Sequence, residues 1–433
     1  MQITSGSVLE GKVSTSGAKN AALPILFSTL LAEGEHHFEN VPLLKDIEST
    51  GELLKSLGCE SFRGSSPQKT PEHTTDEKEL HTFKVQVSKL KSFEAHYDLV
   101  RKMRASILCL GPMLAKYGEA VVSLPGGCAI GSRPIDLHLD AMKALGAEIE
   151  LRDGYVFARS NPQTKRLKGA TVFFEKTTVG GTENLLMAAA LAEGTTVIEN
   201  AAKEPEIADL ANYLNKMGAK ISGQGTSVIT VHGVEKLKPA QHTIMPDRIE
   251  AGTLLLAGAI TGGDVTVEKC QPHDLDALVS KMRESGFKID VGDSFLRVHP
   301  LKKFDAVDIT TAPHPLFATD LQAQFMALMT VAHGTSVITE TVFENRFMHV
   351  NELMRLGADI TPKSQVAVVR GKPGGLSAAP VMATDLRASA SLVLAGLVAK
   401  GSTTVGRIYH LDRGYENLEG KLSALGAKVK RVV

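Results

Sequence analysis

The sequence has few cysteines, and their spacing excludes two common roles. None of the four, Cys59, Cys109, Cys128 and Cys270, belongs to a CxxC pair. This pattern argues against a disulfide framework or a cysteine zinc site and indicates thiols that stay reduced, as they do in the cytoplasm. We therefore expect a cytoplasmic protein. The N-terminus also lacks the basic start and apolar stretch of a secretory signal.

An excess of one charge and a long apolar run are also missing. The 48 Lys and Arg residues are balanced by 48 Asp and Glu residues, for a net charge of +0. Proteins that hold nucleic acid or anionic lipid through a broad positive field have an excess of basic residues, so neither partner is expected. The longest apolar stretches, at 21–32 and 392–399, are shorter than the roughly 18 residues of a membrane-spanning helix. Any bound anion must therefore be held by a local cluster of cations.

The remaining composition is that of a globular protein. The chain has 433 residues, of which 43% are hydrophobic and 22% are charged. This length predicts two or three domains, each large enough to bury a core.

One pattern recurs six times along the chain. Each copy has a helix of small residues, a short β-rich strand, a polar turn and an amphipathic helix that ends on a glycine. The closing glycines are Gly58, Gly146, Gly218, Gly286, Gly357 and Gly426. Their spacings are 88, 72, 68, 71 and 69 residues, so the repeat is about 70 residues long and the first interval contains an insertion. The polar segment at 63–80, Arg63 to Leu80, is predicted to be that insertion and to form a loop.

The two helices of each repeat differ in character. Apolar residues recur at helical spacing in the closing helices, which predicts a surface helix with one buried stripe. The segments at 184–192, 251–260, 321–331 and 388–399 are apolar or small on every side and predict helices that their own domain encloses. The alternating, β-branched segments at 196–199, 265–268 and 336–339 predict strands. The simplest packing is an α/β fold with sheets outside and helices inside.

Six copies divide naturally into two domains of three. The segment PAQHTIMP at 239–246 is the best candidate for a linker between them. We expect a cleft between the two domains.

Several buried helices are predicted to begin with polar residues. These are Lys19 and Asn20, Arg101 and Arg104, Asp320, and Arg387 after Asp385. A cation in the first turn opposes the helix dipole, and a bound anion would offset that cost. For any single arginine, the alternative is a salt bridge or a side chain that extends to solvent. The cluster as a whole favours an anion-binding function.

The segment SLPGGCAIGSRPIDLH at 123–138 is predicted to be a mobile loop, because its glycines and prolines interrupt any helix or strand. A thiol in such a loop, five residues before Arg133, has its pKa lowered by nearby positive charge, so Cys128 could exchange a proton. The alternative is a small buried hydrophobic residue, which is the interpretation we favour for the other three cysteines. His138 lies between Asp136 and Asp140, but no second histidine or cysteine stands at ligand spacing. We therefore expect no metal.

Motifs along nearly the whole chain resemble those of the UDP-N-acetylglucosamine 1-carboxyvinyltransferases, the enolpyruvyl transferase family of peptidoglycan synthesis. In the first half they are GAKNAALPIL at 17–26, MRASI at 103–107, LPGGCAIGSRP at 124–134 and EPEI at 204–207. In the second half they are PDRIEAGT at 246–253, TDLQAQ at 319–324, FENRFMH at 343–349, DLRAS at 385–389 and HLDRGYE at 410–416.

The resemblance implies a fold and a reaction. The family fold is two inside-out α/β barrel domains, each built from three βαβαββ-type repeats, which here would span 18–240 and 1–17 plus 241–433. The reaction would transfer enolpyruvyl from phosphoenolpyruvate to the 3-hydroxyl of UDP-N-acetylglucosamine and release phosphate, as the first committed step of peptidoglycan synthesis. It would require no cofactor. Cell wall biogenesis, cell shape and cell division would depend on it.

The resemblance also implies roles for individual residues. Cys128 matches the catalytic cysteine, which protonates the enol and can form a pyruvate adduct, and Asp320 matches the carboxylate that deprotonates the sugar hydroxyl. The residues that match phosphoenolpyruvate-binding cations are Lys19, Arg104, Arg133, Arg387 and Arg413, of which Lys19 and Arg413 are also expected to take part in catalysis. The residues that match nucleotide-sugar contacts are Asn20, Pro134, Ile135, Asp136, Leu137, Thr178, Val179, Gly180, Asp320 and Val342. The alternative for Asp320 is a helix cap.

Two other functions remain open at this stage. The sister transferase that acts on shikimate 3-phosphate shares the barrels and the phosphoenolpyruvate cations, but it lacks the PGGC segment that this sequence contains at 125–128. A noncatalytic repeat scaffold is the second alternative. Five cations and a loop thiol at separate helix starts argue against it. No feature of the sequence indicates an oligomeric state.

Overall fold

The computed structural model describes residues 1–64, 77–101, 103–124 and 135–432. Its helices are α1 (Lys19–Ser28), α2 (Lys45–Leu57), α3 (Glu77–Leu80), α4 (Tyr97–Val100), α5 (Leu110–Tyr117), α6 (Asp136–Ala144), α7 (Val179–Ala189), α8 (Pro205–Lys216), α9 (Arg248–Thr261), α10 (Asp276–Glu284), α11 (Thr319–Met329), α12 (Val350–Arg355), α13 (Leu386–Val398) and α14 (Leu418–Ala424). Short 3-10 helices span Thr29–Leu31, Arg104–Cys109, Pro272–Leu275 and Ile408–Arg413. None of these described helices combines the length and the apolar character needed to cross a bilayer.

The strands are short, and all of them belong to sheets. They are β1 (Gln2–Thr4), β2 (Glu10–Ser14), β3 (Gly34–Glu39), β4 (Glu60–Arg63), β5 (Phe83–Val87), β6 (Glu94–Ala95), β7 (Glu119–Ser123), β8 (Glu148–Arg152), β9 (Tyr155–Arg159), β10 (Thr171–Phe173), β11 (Thr195–Glu199), β12 (Lys220–Ser222), β13 (Val228–His232), β14 (Gln241–Thr243), β15 (Asp264–Glu268), β16 (Ile289–Val291), β17 (Phe295–Val298), β18 (Ile309–Thr310), β19 (Thr335–Thr339), β20 (Asp359–Lys363), β21 (Val366–Arg370), β22 (Pro380–Met382), β23 (Ser402–Gly406) and β24 (Lys428–Lys430).

The chain divides into two compact units, each with its own hydrophobic core. The first unit contains the described residues of 17–124 and 135–245, and the second contains 1–16 and 246–432. The first unit has the sheets β14-β3-β5-β4, β6-β7-β9-β8 and β10-β11-β13-β12. The second has β16-β17-β15-β2, β18-β19-β21-β20 and β22-β23-β1-β24.

All six sheets share one topology, which confirms the predicted sixfold repeat. Each has one parallel pair at an edge and two antiparallel pairs, as in β10-β11-β13-β12. The six closing glycines all have φ between 85° and 109°, in the left-handed region where glycine has no steric cost. Each of them therefore ends its helix as the repeat pattern predicts.

Within each unit, the sheets have one buried face and the central helices are covered on all sides. In β11, Thr196 and Ile198 are buried whereas Thr195 and Glu199 are exposed, which is the alternation of a half-buried strand. Helices α7, α9, α11 and α13 are buried along nearly their whole length. The predicted enclosed helices are therefore confirmed, and the α/β class with them.

Two segment predictions are corrected by the structure. The chain passes from one unit to the other within the segment at 239–246, after Met245, but most of this segment is not a free linker, because β14 pairs in parallel with β3 and its His242 is buried against Tyr213. The polar segment at 63–80 is not a loop throughout, since Arg63 ends β4 and Glu77–Leu80 forms α3. Residues 65–76 lie outside the described part of the chain.

Helix α7 carries a carboxyl group in the core of the first unit. Glu183 has an exposed fraction of only 5%. Burial raises its pKa to about 8, and the neighbouring carboxylates of Glu206 and Glu204 contribute to the rise. The folded state therefore favours protonated Glu183 at neutral pH.

We predict that Glu183→Gln makes the protein more stable than wild type at pH 8.5, with little difference at pH 5. Because the pKa of Glu183 is higher in the folded state than in the unfolded state, its contribution to the free energy of unfolding is fully present below the unfolded-state pKa of 4.5. That contribution is lost as the pH rises through the folded-state pKa of about 8. Glutamine has similar size and cannot ionise. The measurement is the unfolding temperature by calorimetry at both pH values, with the exposed Glu175→Gln as control. An equal temperature difference at both pH values would contradict the burial argument.

Candidate active site

In the first unit, predicted site residues lie at the starts of α1 and of the 3-10 helix Arg104–Cys109. Lys19 is the first residue of α1 and is buried, with Asn20 half-buried beside it. The Nζ atom of Lys19 donates to Oδ2 of buried Asp46, in the first turn of α2, at 3.2 Å. A cation at a helix start opposes the dipole, and this carboxylate offsets part of that cost. Arg104 opens the 3-10 helix, which packs against α1.

Arg101 is not at the start of a buried helix, contrary to the prediction. It follows α4 as its C-terminal cap, and its side chain is 55% exposed with Asp98 as an ion-pair partner. A cation at a helix C-terminus is favourable on its own, so no ligand is needed to explain it.

Two further sets of predicted residues lie at the starts of α6 and α7, which pack against each other. Buried Ile135 precedes α6, exposed Asp136 opens it and half-buried Leu137 follows. At α7, the Thr178 hydroxyl accepts a hydrogen bond from the Gly181 N–H at 3.2 Å and so caps the helix. The first turn that follows, with Val179 and Gly180, contains no acidic residue. Its backbone N–H groups can therefore donate hydrogen bonds to an anion.

Gly180 lies directly against the His138 ring. A Cβ atom at position 180 would be 3.1 Å from Cε1 and 3.3 Å from Nε2 of that ring, which is tighter than normal contact. A side chain at position 180 would therefore require the His138 ring to move by a few tenths of an ångström.

The second unit brings Asp320 and Arg387 into direct contact. Asp320 is the second residue of α11, and its Oδ2 accepts hydrogen bonds from Arg387 Nε at 3.1 Å and Nη2 at 2.8 Å. Its Oδ1 accepts one from Arg346 Nη2 at 2.8 Å. Two guanidinium groups thus fix the carboxylate, and both arginine side chains are almost fully buried. Arg346 was not among the predicted site residues, although it lies in the FENRFMH motif.

Arg387 is held at the start of α13, and one nitrogen of its guanidinium group is not bonded to Asp320. Asp385 caps the helix by accepting the N–H groups of Arg387 and Ala388 at 2.8 and 3.0 Å. The guanidinium lies over the Tyr415 ring at 5.4 Å. Burial acts to lower the pKa of Arg387, but the Asp320 carboxylate outweighs it, so the group stays charged. Within the described structure, Nη1 of Arg387 is buried and takes no part in the bonds to Asp320, and the Tyr415 hydroxyl is the neighbouring group that interacts with the guanidinium.

The loop that carries Arg346 ends at a buried histidine. Burial lowers the pKa of His349 to about 4, while the Asp385 carboxylate opposes the change, so the ring is neutral at physiological pH. The buried ring therefore adds no positive charge beside the Arg346 guanidinium.

The other predicted residues of the second unit lie in two further segments. Val342 follows β19, and its N–H donates to Oε1 of buried Glu340 at 2.8 Å. Arg413 ends the 3-10 helix Ile408–Arg413, which packs against α13. It is half-buried and, unlike Arg387, does not stand at a helix start.

The cysteine predictions are only partly within the described residues. Cys128, Arg133 and Pro134 lie outside them. Cys59, Cys109 and Cys270 are buried, and burial raises the pKa of their thiols to about 12, 12 and 11. The prediction that these three are inert hydrophobic residues is confirmed. Among the described residues, no group of three or more histidine, cysteine or acidic side chains is placed to hold a metal ion.

Comparisons with known proteins agree with this geometry. The model of the EPSP synthase (3-phosphoshikimate 1-carboxyvinyltransferase) family matches residues 3–422. A UDP-N-acetylglucosamine 1-carboxyvinyltransferase from Bdellovibrio bacteriovorus is 70% identical over 432 residues, covering 100% of both chains. One from Myxococcus xanthus is 58% identical over 99% of this chain and 98% of its own.

Solved structures show the same fold. The enolpyruvyl transferase NikO from Streptomyces tendae has a TM-score of 0.85 and 27% identity, covering 99% of this chain and 98% of its own. An EPSP synthase from Acinetobacter baumannii has a TM-score of 0.74 at 18% identity, covering 99% of both chains, so it supports the fold alone. The sister transferase is thus the more distant relative.

The resemblance seen in the sequence motifs is confirmed along nearly the full length of the chain. The chain belongs to the EPSP synthase family of enolpyruvyl transferases and, within it, to the UDP-N-acetylglucosamine 1-carboxyvinyltransferases.

Proposed function

We propose that the protein transfers the enolpyruvyl group of phosphoenolpyruvate to the 3-hydroxyl of UDP-N-acetylglucosamine and releases phosphate. The observation that carries this proposal is the 70% identity, over the whole chain, to a relative with that activity in its name. The fixed carboxylate of Asp320 and the buried cations at the helix starts are consistent with it. The cytoplasmic location, suggested by the cysteine usage, stays a prediction.

The chemistry requires an acid and a base. Carbon 3 of the enol accepts a proton, carbon 2 gains cationic character, and the sugar oxygen attacks carbon 2 as its own proton leaves. Loss of a proton from carbon 3 and of phosphate from carbon 2 then restores the double bond. By resemblance, Cys128 supplies the first proton and Asp320 takes the proton of the hydroxyl. The two arginines that hold Asp320 fix the direction of its oxygens, which a base acting at one atom needs.

Phosphoenolpyruvate carries a phosphate and a carboxylate, so several cations must surround it. We assign this role to the five cations that match the family: Lys19, Arg104, Arg133, Arg387 and Arg413. Among them, Arg387 has a buried nitrogen, Nη1, that takes no part in its bonds to Asp320, and Lys19 is buried with Asp46 as an ion-pair partner. Arg387 is placed to form a charge-assisted hydrogen bond with an anion, and Lys19 adds buried positive charge.

We assign the nucleotide sugar to the starts of α6 and α7 and, by resemblance to the family, to further residues elsewhere in the chain. The residues are Asn20, Pro134, Ile135, Asp136, Leu137, Thr178, Val179, Gly180 and Val342, together with Asp320. The first turn of α7 presents N–H groups and the positive end of the helix dipole, which suit a diphosphate.

The direct test is phosphate release from phosphoenolpyruvate with each candidate acceptor. We expect phosphate with UDP-N-acetylglucosamine and none above background with shikimate 3-phosphate, and mass spectrometry should find the enolpyruvyl ether of the nucleotide sugar. Release with the shikimate ester instead would support the sister activity. No release with either acceptor would support a noncatalytic scaffold.

We predict that Cys128→Ser lowers kcat by about 10²-fold or more, because a hydroxyl is a far weaker acid than a thiol and general acid catalysis contributes that much. UDP-N-acetylglucosamine binding, measured by isothermal titration calorimetry, should persist because the thiol acts on the enol. Cys270→Ser, which changes a buried thiol with a raised pKa, is the control and should retain kcat. An unchanged kcat in Cys128→Ser would exclude the proposed role.

We predict that Lys19→Ala raises KM for phosphoenolpyruvate by about 10- to 100-fold, since a hydrogen bond to a charged group contributes about 1.5–3 kcal/mol. The matched control is Lys421→Ala, which also removes a lysine from a buried carboxylate, here Glu250 at 2.7 Å. Both variants should lose stability, but only Lys19→Ala should change KM. Equal KM values for Lys19→Ala and wild type would remove Lys19 from the substrate site.

A further inference from the structure

Asn184 joins three segments of the first unit to α7. It lies in the middle of that helix with an exposed fraction of 0%. Its Oδ1 accepts the N–H of Gly111 in α5 at 2.7 Å. Its Nδ2 donates to the carbonyl of Ile107 in the 3-10 helix at 3.1 Å and to Nδ1 of His138 in α6 at 3.2 Å. One buried amide therefore connects four helices.

The orientation of this amide is determined by its partners. The Gly111 N–H can only donate, so it must face Oδ1, and the amino group must face the Ile107 carbonyl and the His138 ring. Nδ1 of His138 consequently accepts a hydrogen bond and carries no proton, which leaves the proton of a neutral ring on Nε2. That side of the ring is the one that lies against Gly180.

Close packing makes the connection specific to this set of residues. A Cβ atom at Gly111 would be 2.5 Å from Oδ1 and 2.4 Å from the carbonyl oxygen of Asn184. Helix α5 can therefore reach the amide only because position 111 has no side chain. Without the amide, the buried Gly111 N–H would lose its acceptor on Asn184, and the Ile107 carbonyl would keep only the backbone N–H of Leu110, which favours a shift of the helices.

Three of the four helices that Asn184 connects, all except α5, begin with or directly follow residues assigned to a substrate. The 3-10 helix begins at Arg104, Ile135–Leu137 directly precede His138, and Thr178–Gly180 open α7 itself. Resting on the proposed function, we propose that Asn184 is a positioning residue that sets the starts of α6 and α7, through His138 and Gly180, at the spacing the nucleotide sugar requires. Two of the three segments carry nucleotide-sugar contacts and one carries a phosphoenolpyruvate cation, so loss of the amide should affect the nucleotide sugar more.

The test compares steady-state kinetics of Asn184→Ala with a matched asparagine variant. The side-chain amide of Asn215 donates to the Ile221 carbonyl at 3.0 Å and accepts the Ile221 N–H at 2.8 Å. These bonds join α8 to β12 and involve none of the assigned residues. We expect Asn184→Ala to raise KM for UDP-N-acetylglucosamine at least tenfold, with smaller changes in KM for phosphoenolpyruvate and in kcat. Asn215→Ala should lower the unfolding temperature while leaving both KM values within twofold of wild type.

Two results would overturn the role of Asn184: an unchanged KM for the nucleotide sugar in folded Asn184→Ala, or an equal rise in Asn215→Ala. If Asn184→Ala does not fold, the variant His138→Ala tests the proposal instead. It removes one of the hydrogen bonds of the Asn184 amide, together with the ring that packs against Gly180. It should raise the same KM severalfold, and an unchanged value would contradict the proposal. Wild-type protein that does not turn over UDP-N-acetylglucosamine would contradict the proposed function instead.

Discussion

Helices that begin inside the protein impose the main constraint on both units. Their first-turn N–H groups lack backbone partners, and their dipoles place positive charge where water is scarce. This chain adds cations at two such ends, Lys19 in α1 and Arg387 in α13, and each forms an ion pair with a buried or half-buried carboxylate. Within its own unit, each carboxylate, Asp46 or Asp320, therefore offsets part of the cost of placing a cation at a helix start.

The repeats explain why each unit contains a buried amide among its central helices. Asn184 is the sixth residue of α7 and Gln324 is the sixth residue of α11, two repeats further along the chain. The Nε2 atom of Gln324 lies 3.2 Å from the Thr253 hydroxyl, 2.9 Å from the Tyr415 hydroxyl and 2.9 Å from the Asp320 carbonyl, and its two hydrogens are shared among these acceptors. Gln324 therefore ties the start of α11, where Asp320 lies, to α9 and to Tyr415, at the repeat position that Asn184 occupies in α7.

Local patterns in the sequence predicted much of the fold. The glycine at each repeat end and the small-residue helices were predictable because φ preference and all-round apolarity act over a few residues. The strand β14 was included in the predicted linker because its pairing with β3 joins residues 204 positions apart, which leaves no local pattern. Site residues were predictable where motifs carry them, as with Asp320. Their partners Asp46 and Arg346 were missed, since contacts between distant segments leave no local pattern.

We propose that the start of α7, which is partly exposed, binds the diphosphate of the substrate. A crystal structure with UDP-N-acetylglucosamine bound tests this proposal. We expect diphosphate oxygens within hydrogen-bond distance of the backbone N–H groups of Val179 and Gly180, with the Thr178 hydroxyl beside them. A nucleotide sugar bound with its diphosphate away from the start of α7 would refute the proposal.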